Sequence, residues 1–158
     1  NSNIVVDFAH TPEALEQSLI ALKKQFKNEI IIVFGCGGER DKKKRFVMGK
    51  IASKYCRKIF VTDDNPRNEN PQKIRNAIMK RCKSNAVDIG SRKKAIKTAI
   101  QELRSNETLL VAGKGHEDTQ NYGIKREYMS LDNGDLYSTS PIVALKRVLG
   151  TLSRSDLT

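Results

Sequence analysis

The feature that most constrains this chain is a repeated alternation. A short apolar run ends in a loop of glycine or charge, and a segment of helical spacing follows. The runs are residues 4–8, 29–34, 58–62, 86–89 and 108–112. They are mostly apolar without the strict polar alternation of a half-exposed strand, so they read as strands buried on both faces. Thr11 and Pro12 open a helix as N-cap and first helical residue. Ala14, Leu15, Leu19, Ala21, Leu22 and Phe26 then fall mostly three and four apart. Further helices are predicted over 44–55, from Pro71 to about Cys82, and over 91–104. An irregular hairpin around Gly123 is expected in 122–131, and a last helix from Ser140 and Pro141 through Leu149 to a stop at Gly150. Such alternation implies an α/β fold, a mostly parallel sheet with helices on both faces and right-handed crossovers.

With 158 residues the chain has room for one respectable core and little room for two. We expect one domain over 1–150 and a loose tail over 151–158. The apolar fraction of 38% argues against disorder, and no apolar run approaches a membrane span. The start, Asn1-Ser2-Asn3, has no signal-peptide pattern and no initiator Met, which suggests a fragment or a processed chain. Cys36, Cys56 and Cys82 form neither a disulfide framework nor a zinc pattern, so a reducing, cytoplasmic setting is expected. The net charge of +11 is the strong compositional signal. It permits nucleic acid, an anionic surface or small anionic ligands.

Ligands of open α/β sheets gather at the carboxyl ends of the strands. Four polar loops follow predicted strands, at 7–12, 35–45, 63–67 and 113–118. Gly35-Cys36-Gly37-Gly38 reads either as a phosphate cradle or as tight turns, and neither it nor Gly113-Lys114-Gly115-His116 completes a nucleotide-binding motif. In Asp63-Asp64-Asn65-Pro66-Arg67, Arg67 offers a planar fork for a carboxylate or phosphate. Pro66 biases Asn65 toward extended angles. The alternative there is a turn leading into the Pro71 helix. Asp7 could hold a ribose or a metal-bound water, or cap the Thr11 helix. His10 and His116 both sit in strand-end loops. The basic run Asp41-Lys42-Lys43-Lys44-Arg45 reads as a solvated helix start that could also meet phosphates.

Taken in order, Val6-Asp7-Phe8-Ala9-His10-Thr11-Pro12, Phe34-Gly35-Cys36-Gly37-Gly38-Glu39-Arg40-Asp41, Asp63-Asp64-Asn65-Pro66-Arg67 and Ala112-Gly113-Lys114-Gly115-His116-Glu117-Asp118 resemble the C-terminal domain of the Mur ligases. The resemblance covers about residues 4–150 and points to the branch that adds meso-diaminopimelate to UDP-N-acetylmuramoyl-L-alanyl-D-glutamate. It implies a Rossmann-like domain, with an N-terminal UDP-substrate domain and a central ATPase domain elsewhere in the protein. ATP activates the substrate carboxylate as an acyl phosphate, which the amino acid's amine attacks. The P-loop and the Mg2+ ligands belong to the central domain, so no catalytic residue and no metal ligand is expected in this chain. The resemblance assigns Arg40, Asp64, Asn65, Pro66, Arg67, Gly113 and Glu117 to diaminopimelate, with Arg67 on its remote carboxylate and Glu117 on its remote ammonium. Lysine lacks that carboxylate, and leaving a buried charge unpaired costs roughly 3–5 kcal/mol, enough for selection. Asp7 and His10 match the segment facing ATP. Phe8, Lys43, Phe46, Ser91 and Thr119 depart from the family's usual residues. Expected partners are therefore meso-diaminopimelate, the UDP-N-acetylmuramoyl dipeptide, ATP and the other two domains, with neither nucleic acid nor membrane. The competing reading is a basic nucleic-acid-binding module, which would need a continuous basic face with interleaved aromatics.

Overall fold

The five apolar runs form strands that lie side by side in one parallel sheet. The structure, a computed structural model, describes residues 2–115, 119–128 and 142–146, with the backbone alone for 126–128 and 142–146. Strands β1 (Ser2–Asp7), β2 (Glu29–Phe34), β3 (Lys58–Val61), β4 (Ala86–Asp88) and β5 (Glu107–Ala112) alternate with helices α1 (Pro12–Phe26), α2 (Lys43–Tyr55), α3 (Pro71–Met79) and α4 (Arg92–Gln101). An antiparallel hairpin of β6 (Thr119–Tyr122) and β7 (Lys125–Tyr128) follows, then β8 (Ile142–Lys146). The sheet order is β4-β3-β2-β5-β1-β8, with every neighbouring pair parallel.

Buried residues of β2 divide between two faces. Ile30, Ile32 and Phe34 join α1, α2 and α3 in one core, while Ile31 and Val33 join α4 in the other. This is why the run lacks a polar alternation. Three of the helix starts are capped by side chains: Thr11, as its sequence predicts, and also Asn70 and Ser91 accept N–H bonds from Ala14, Lys73 and Lys94. At the amino end of the sheet a guanidinium fork from Arg57 holds the buried Glu107 carboxylate at 2.7 and 2.9 Å. Burial pushes that carboxyl up, but the Arg57 fork and the Arg104 N–H outweigh it, leaving Glu107 below the ordinary glutamate value.

The last helix is a correction. Residues 142–146 form β8, parallel to β1, with Ser2 opposite Ile142 and Val6 opposite Lys146. The edge of β1 turned away from β5 presents unpaired backbone groups, and a segment opening with Ile142-Val143 can satisfy them as a strand. Ser140, Pro141, Leu149, Gly150 and the tail 151–158 lie outside the described residues.

β5 inserts between β1 and β2, although it follows them in sequence. The order therefore reverses near the centre of the sheet, and the loops on either side of that point splay apart at its carboxyl end.

Candidate functional site

The four loops converge there on a cleft of about 700 Å³. Arg40, Asp64, Asn65, Arg67, Gly113 and His10 all line it. Asp7 and Pro66 do not line it, and Glu117 and His116 lie outside the described residues.

The loops after β2 and β3 are interlocked. Gly38 N–H donates to the Asn65 carbonyl at 3.0 Å, and Arg67 Nη1 donates to the Gly38 carbonyl at 2.7 Å and the Asn65 carbonyl at 3.3 Å. A Cβ on Gly38 would stand 1.8 Å from the Pro66 carbonyl oxygen, so only glycine allows this approach. With one nitrogen held on two carbonyls, the Arg67 guanidinium keeps a fixed plane beside the cleft. Asp64 is buried and abuts Gly113, where a Cβ would lie 2.7 Å from Asp64 Oδ2.

Asn65 departs from the extended angles predicted from Pro66: its φ is 37°, in the left-handed region, and Glu39 and Arg67 share that region at 53° and 54°. Hydrogen bonds offset this strain. Asn65 Oδ1 accepts from Lys114 Nζ at 3.0 Å and from the Asn121 N–H at 2.8 Å, while its carbonyl takes the Gly38 and Arg67 bonds. One residue thus joins the loops after β2, β3 and β5 to the β6–β7 hairpin. Arg67 N–H donates to the Asn121 carbonyl at 3.0 Å, so the hairpin backs the Arg67 turn as well.

Asp63 turns away from the cleft. It pairs with Arg75 and accepts from the Tyr122 hydroxyl at 3.2 Å, and Arg75 also reaches Asp88. The Asp7 carboxylate accepts from the Ser18 hydroxyl of α1, and its carbonyl accepts from Gly113 and Gly115 N–H. Its work here is to tie the loops after β1 and β5 together. The His10 ring is exposed, and its Nδ1 sits 2.9 Å from the Phe8 carbonyl. The carbonyl can only accept, so Nδ1 donates this bond. Cys36 lines the cleft but is buried, and burial pushes its thiol up to about 12, so it is not a thiolate nucleophile.

Three arginines absent from the sequence-based site are buried: Arg45, Arg75 and Arg92. Arg45 corrects the solvated reading of the basic run. Its fork holds Glu69 at 3.0 Å through both oxygens, and Arg45 donates to the Gly37 carbonyl at 3.3 Å. Arg92 donates to the Ala112 carbonyl at 2.7 Å, just before Gly113. A signal was present in the spacing: Arg45 stands three and seven residues before Met48 and Ala52, and Arg92 three and seven before Ala95 and Ala99, all buried. Among the described residues no three His, Cys, Asp or Glu side chains gather as a metal site, so these residues do not fit a divalent cation.

The fold is an α/β domain with a cleft at the reversal point of its parallel sheet, lined by the held Arg67 guanidinium, Arg40 and the buried Asp64 carboxylate. Residues 1–115 match the family described as Mur ligase, glutamate ligase domain, and the chain belongs to that family. The UDP-N-acetylmuramoyl-L-alanyl-D-glutamate–2,6-diaminopimelate ligase of Rickettsia montanensis is 50% identical over 129 residues, covering 80% of this chain and 27% of that protein. A solved ligase of the same name superposes with a TM-score of 0.76 at 35% identity, covering 86% of this chain and 28% of its own. A bifunctional folylpolyglutamate synthase/dihydrofolate synthase from Yersinia pestis, solved with AMPPNP and Mn ion, shares the fold at a TM-score of 0.53 and 16% identity, over 66% of this chain and 24% of its own. The chain spans about a quarter of the length of these relatives.

Proposed function

We propose that this chain is the amino-acid-binding domain of an ATP-dependent ligase that adds meso-diaminopimelate to UDP-N-acetylmuramoyl-L-alanyl-D-glutamate in cytoplasmic peptidoglycan synthesis, and that the domain occupies residues 1–150 with a tail over 151–158. The observation that carries this reading is the convergence of Arg40, Asn65 and Arg67 with buried Asp64 and Gly113 on one cleft. Meso-diaminopimelate has two carboxylates and two amines. Arg67 forms a fork for the remote carboxylate, and Arg40 and Asn65 stand beside it. Pro66 stiffens the turn that presents Arg67. Glu117 receives the remote ammonium, and Gly113 contributes a backbone contact.

The amine that reacts must be neutral and must face the activated carbon. It attacks the acyl phosphate carbonyl; the C–N bond forms, the C–O bond to phosphate breaks, and the amine loses a proton. The residues here bind and orient the nucleophile. Asp7 and His10 lie on the side proposed for ATP: Asp7 by holding the loop, His10 by its exposed ring. Mg2+ and its ligands, with the UDP-linked substrate, belong to the remainder of the protein. Burial of Arg45, Arg75 and Arg92 takes three cations out of any surface stripe, which weighs against the nucleic-acid alternative.

The test is Arg67→Ala in the full-length protein. Use of diaminopimelate should fall by more than a hundredfold, in line with loss of a buried charge pair, while lysine, a poor substrate throughout, changes little. Unchanged kinetics with diaminopimelate would overturn the assignment.

A further inference from the structure

We propose that Arg45 and Glu69 are a positioning pair for the amino-acid site, setting the separation of the Arg40 and Arg67 guanidiniums. The inference rests on the reading above and concerns residues that do not line the cleft themselves. Arg45 projects from the first turn of α2, and its side chain is only 4% exposed. Its two terminal nitrogens bond the two Glu69 oxygens at 3.0 Å each, a planar bidentate pair that fixes orientation as well as distance. Arg45 Nη2 also donates to the Gly37 carbonyl at 3.3 Å, and Glu69 Oε1 accepts the Glu39 N–H at 2.6 Å. One carboxylate therefore takes hold of the backbone directly before Arg40. Glu69 N–H donates to the Pro66 carbonyl at 3.1 Å and closes the turn that carries Arg67. The pair thus spans both arginine-bearing loops.

Two further observations favour positioning over plain stability. Arg45 Nε is buried without a hydrogen-bond partner among the described residues, a cost that an apolar side chain of similar size would avoid. Glu39, Asn65 and Arg67 all hold left-handed backbone angles, which persist only where neighbours over-determine them. The Arg45 hydrogen bond, opposed by slight burial and aided by the Glu39 N–H, also holds the Glu69 carboxyl below its ordinary value. A dicarboxylic amino acid has a limited span between its charged ends. Loops free to part would present two guanidiniums at a distribution of separations, and binding would weaken.

The experiment uses the full-length protein with Arg45→Lys, Glu69→Gln and the double variant. Apparent KM is measured for meso-diaminopimelate and for ATP, with kcat and a thermal unfolding curve for each. The expected result is a rise of about tenfold or more in the diaminopimelate KM, with the ATP KM held within about twofold. The double variant should be no worse than the worse single one, because both remove the same bridge. Glu69→Gln keeps shape and a neutral acceptor for Glu39, so it carries the test if Arg45→Lys fails to fold. A folded variant with an unchanged diaminopimelate KM would overturn the proposal, and so would diaminopimelate and ATP KM rising together. If the unmodified protein uses a different amino acid, the diaminopimelate reading fails; the positioning proposal is then decided by the same comparison run with that amino acid.

Discussion

At Gly38 the missing side chain decides how two loops meet. A methyl group there would collide with the Pro66 carbonyl, so Gly38→Ala must push the Gly35–Gly38 segment off the Arg67 turn. We expect it to destabilise the protein by about 2 kcal/mol, as overpacking does, and to raise the KM for the amino acid; urea unfolding and steady-state kinetics check both. An alanine variant with unchanged stability would mean that the loops are not in contact. The glycines were legible in the sequence as a place of close approach, but the partner they approach was not. That partner, Pro66, stands in the loop after β3, and only the pairing of β2 with β3 brings the two together. Asn65 was misjudged for a related reason. The local preference before proline points to extended angles, and three hydrogen bonds from three other segments, with a fourth from Arg67 in the same turn, override it. Arg45 was hidden by its neighbours, since a run of four cations reads as solvated although one of them sits on the apolar face of its helix.

Helix starts were the most legible elements, because capping is local chemistry. Thr11→Ala removes the acceptor of the Ala14 N–H, a bond of 3.2 Å at the mouth of the cleft, and should cost about 1 kcal/mol in urea unfolding. No loss would mean that water replaces the cap fully. Strand β8 was not legible, because Ile142–Lys146 is as compatible with a helix as with a strand until an open edge is available beside it. Pairing between elements also sets a pH dependence. Glu107 at the start of β5 and Glu69 before α3 both have carboxyls below the ordinary glutamate value. The unfolded chain takes up those protons first as pH falls. Their contribution is therefore complete above the ordinary glutamate value and is lost as pH drops through the lowered folded values. The urea midpoint should fall between about pH 5 and pH 3, and Glu107→Gln should cost about 2 kcal/mol at neutral pH while flattening that fall. An identical acid slope in Glu107→Gln would remove Glu107 from the account.

For the whole molecule, the two apolar layers and the cleft carry different expectations. Helices cover both faces of the sheet, and fully buried residues such as Phe34, Phe60, Leu15 and Leu110 give each layer its own packed centre. The two layers share one sheet, so the core they form should unfold in one cooperative transition. Catalysis is a different matter. The chain has no complete phosphate-binding motif, and among its described residues no carboxylate and histidine cluster suits a divalent cation. Under the proposed function its cleft orients an amino acid whose attack requires an activated carbonyl to be held opposite. On that reading, the acyl phosphate is made by residues elsewhere in the protein, and this chain spans only about a quarter of the length of its relatives. Orientation without the electrophile gives no rate. The isolated chain, folded and supplied with ATP, Mg2+, the UDP-linked dipeptide and meso-diaminopimelate, should release no phosphate above background and form no tripeptide. Adding the remainder of the protein as a separate chain should restore little, because the orienting wall and the activated carbonyl would meet only at the concentration of the free pieces. ATP-dependent tripeptide formation by the 158 residues alone would show that this domain holds the chemistry as well as the amino acid, and would overturn the division of labour on which the reading of Arg40, Asn65 and Arg67 depends.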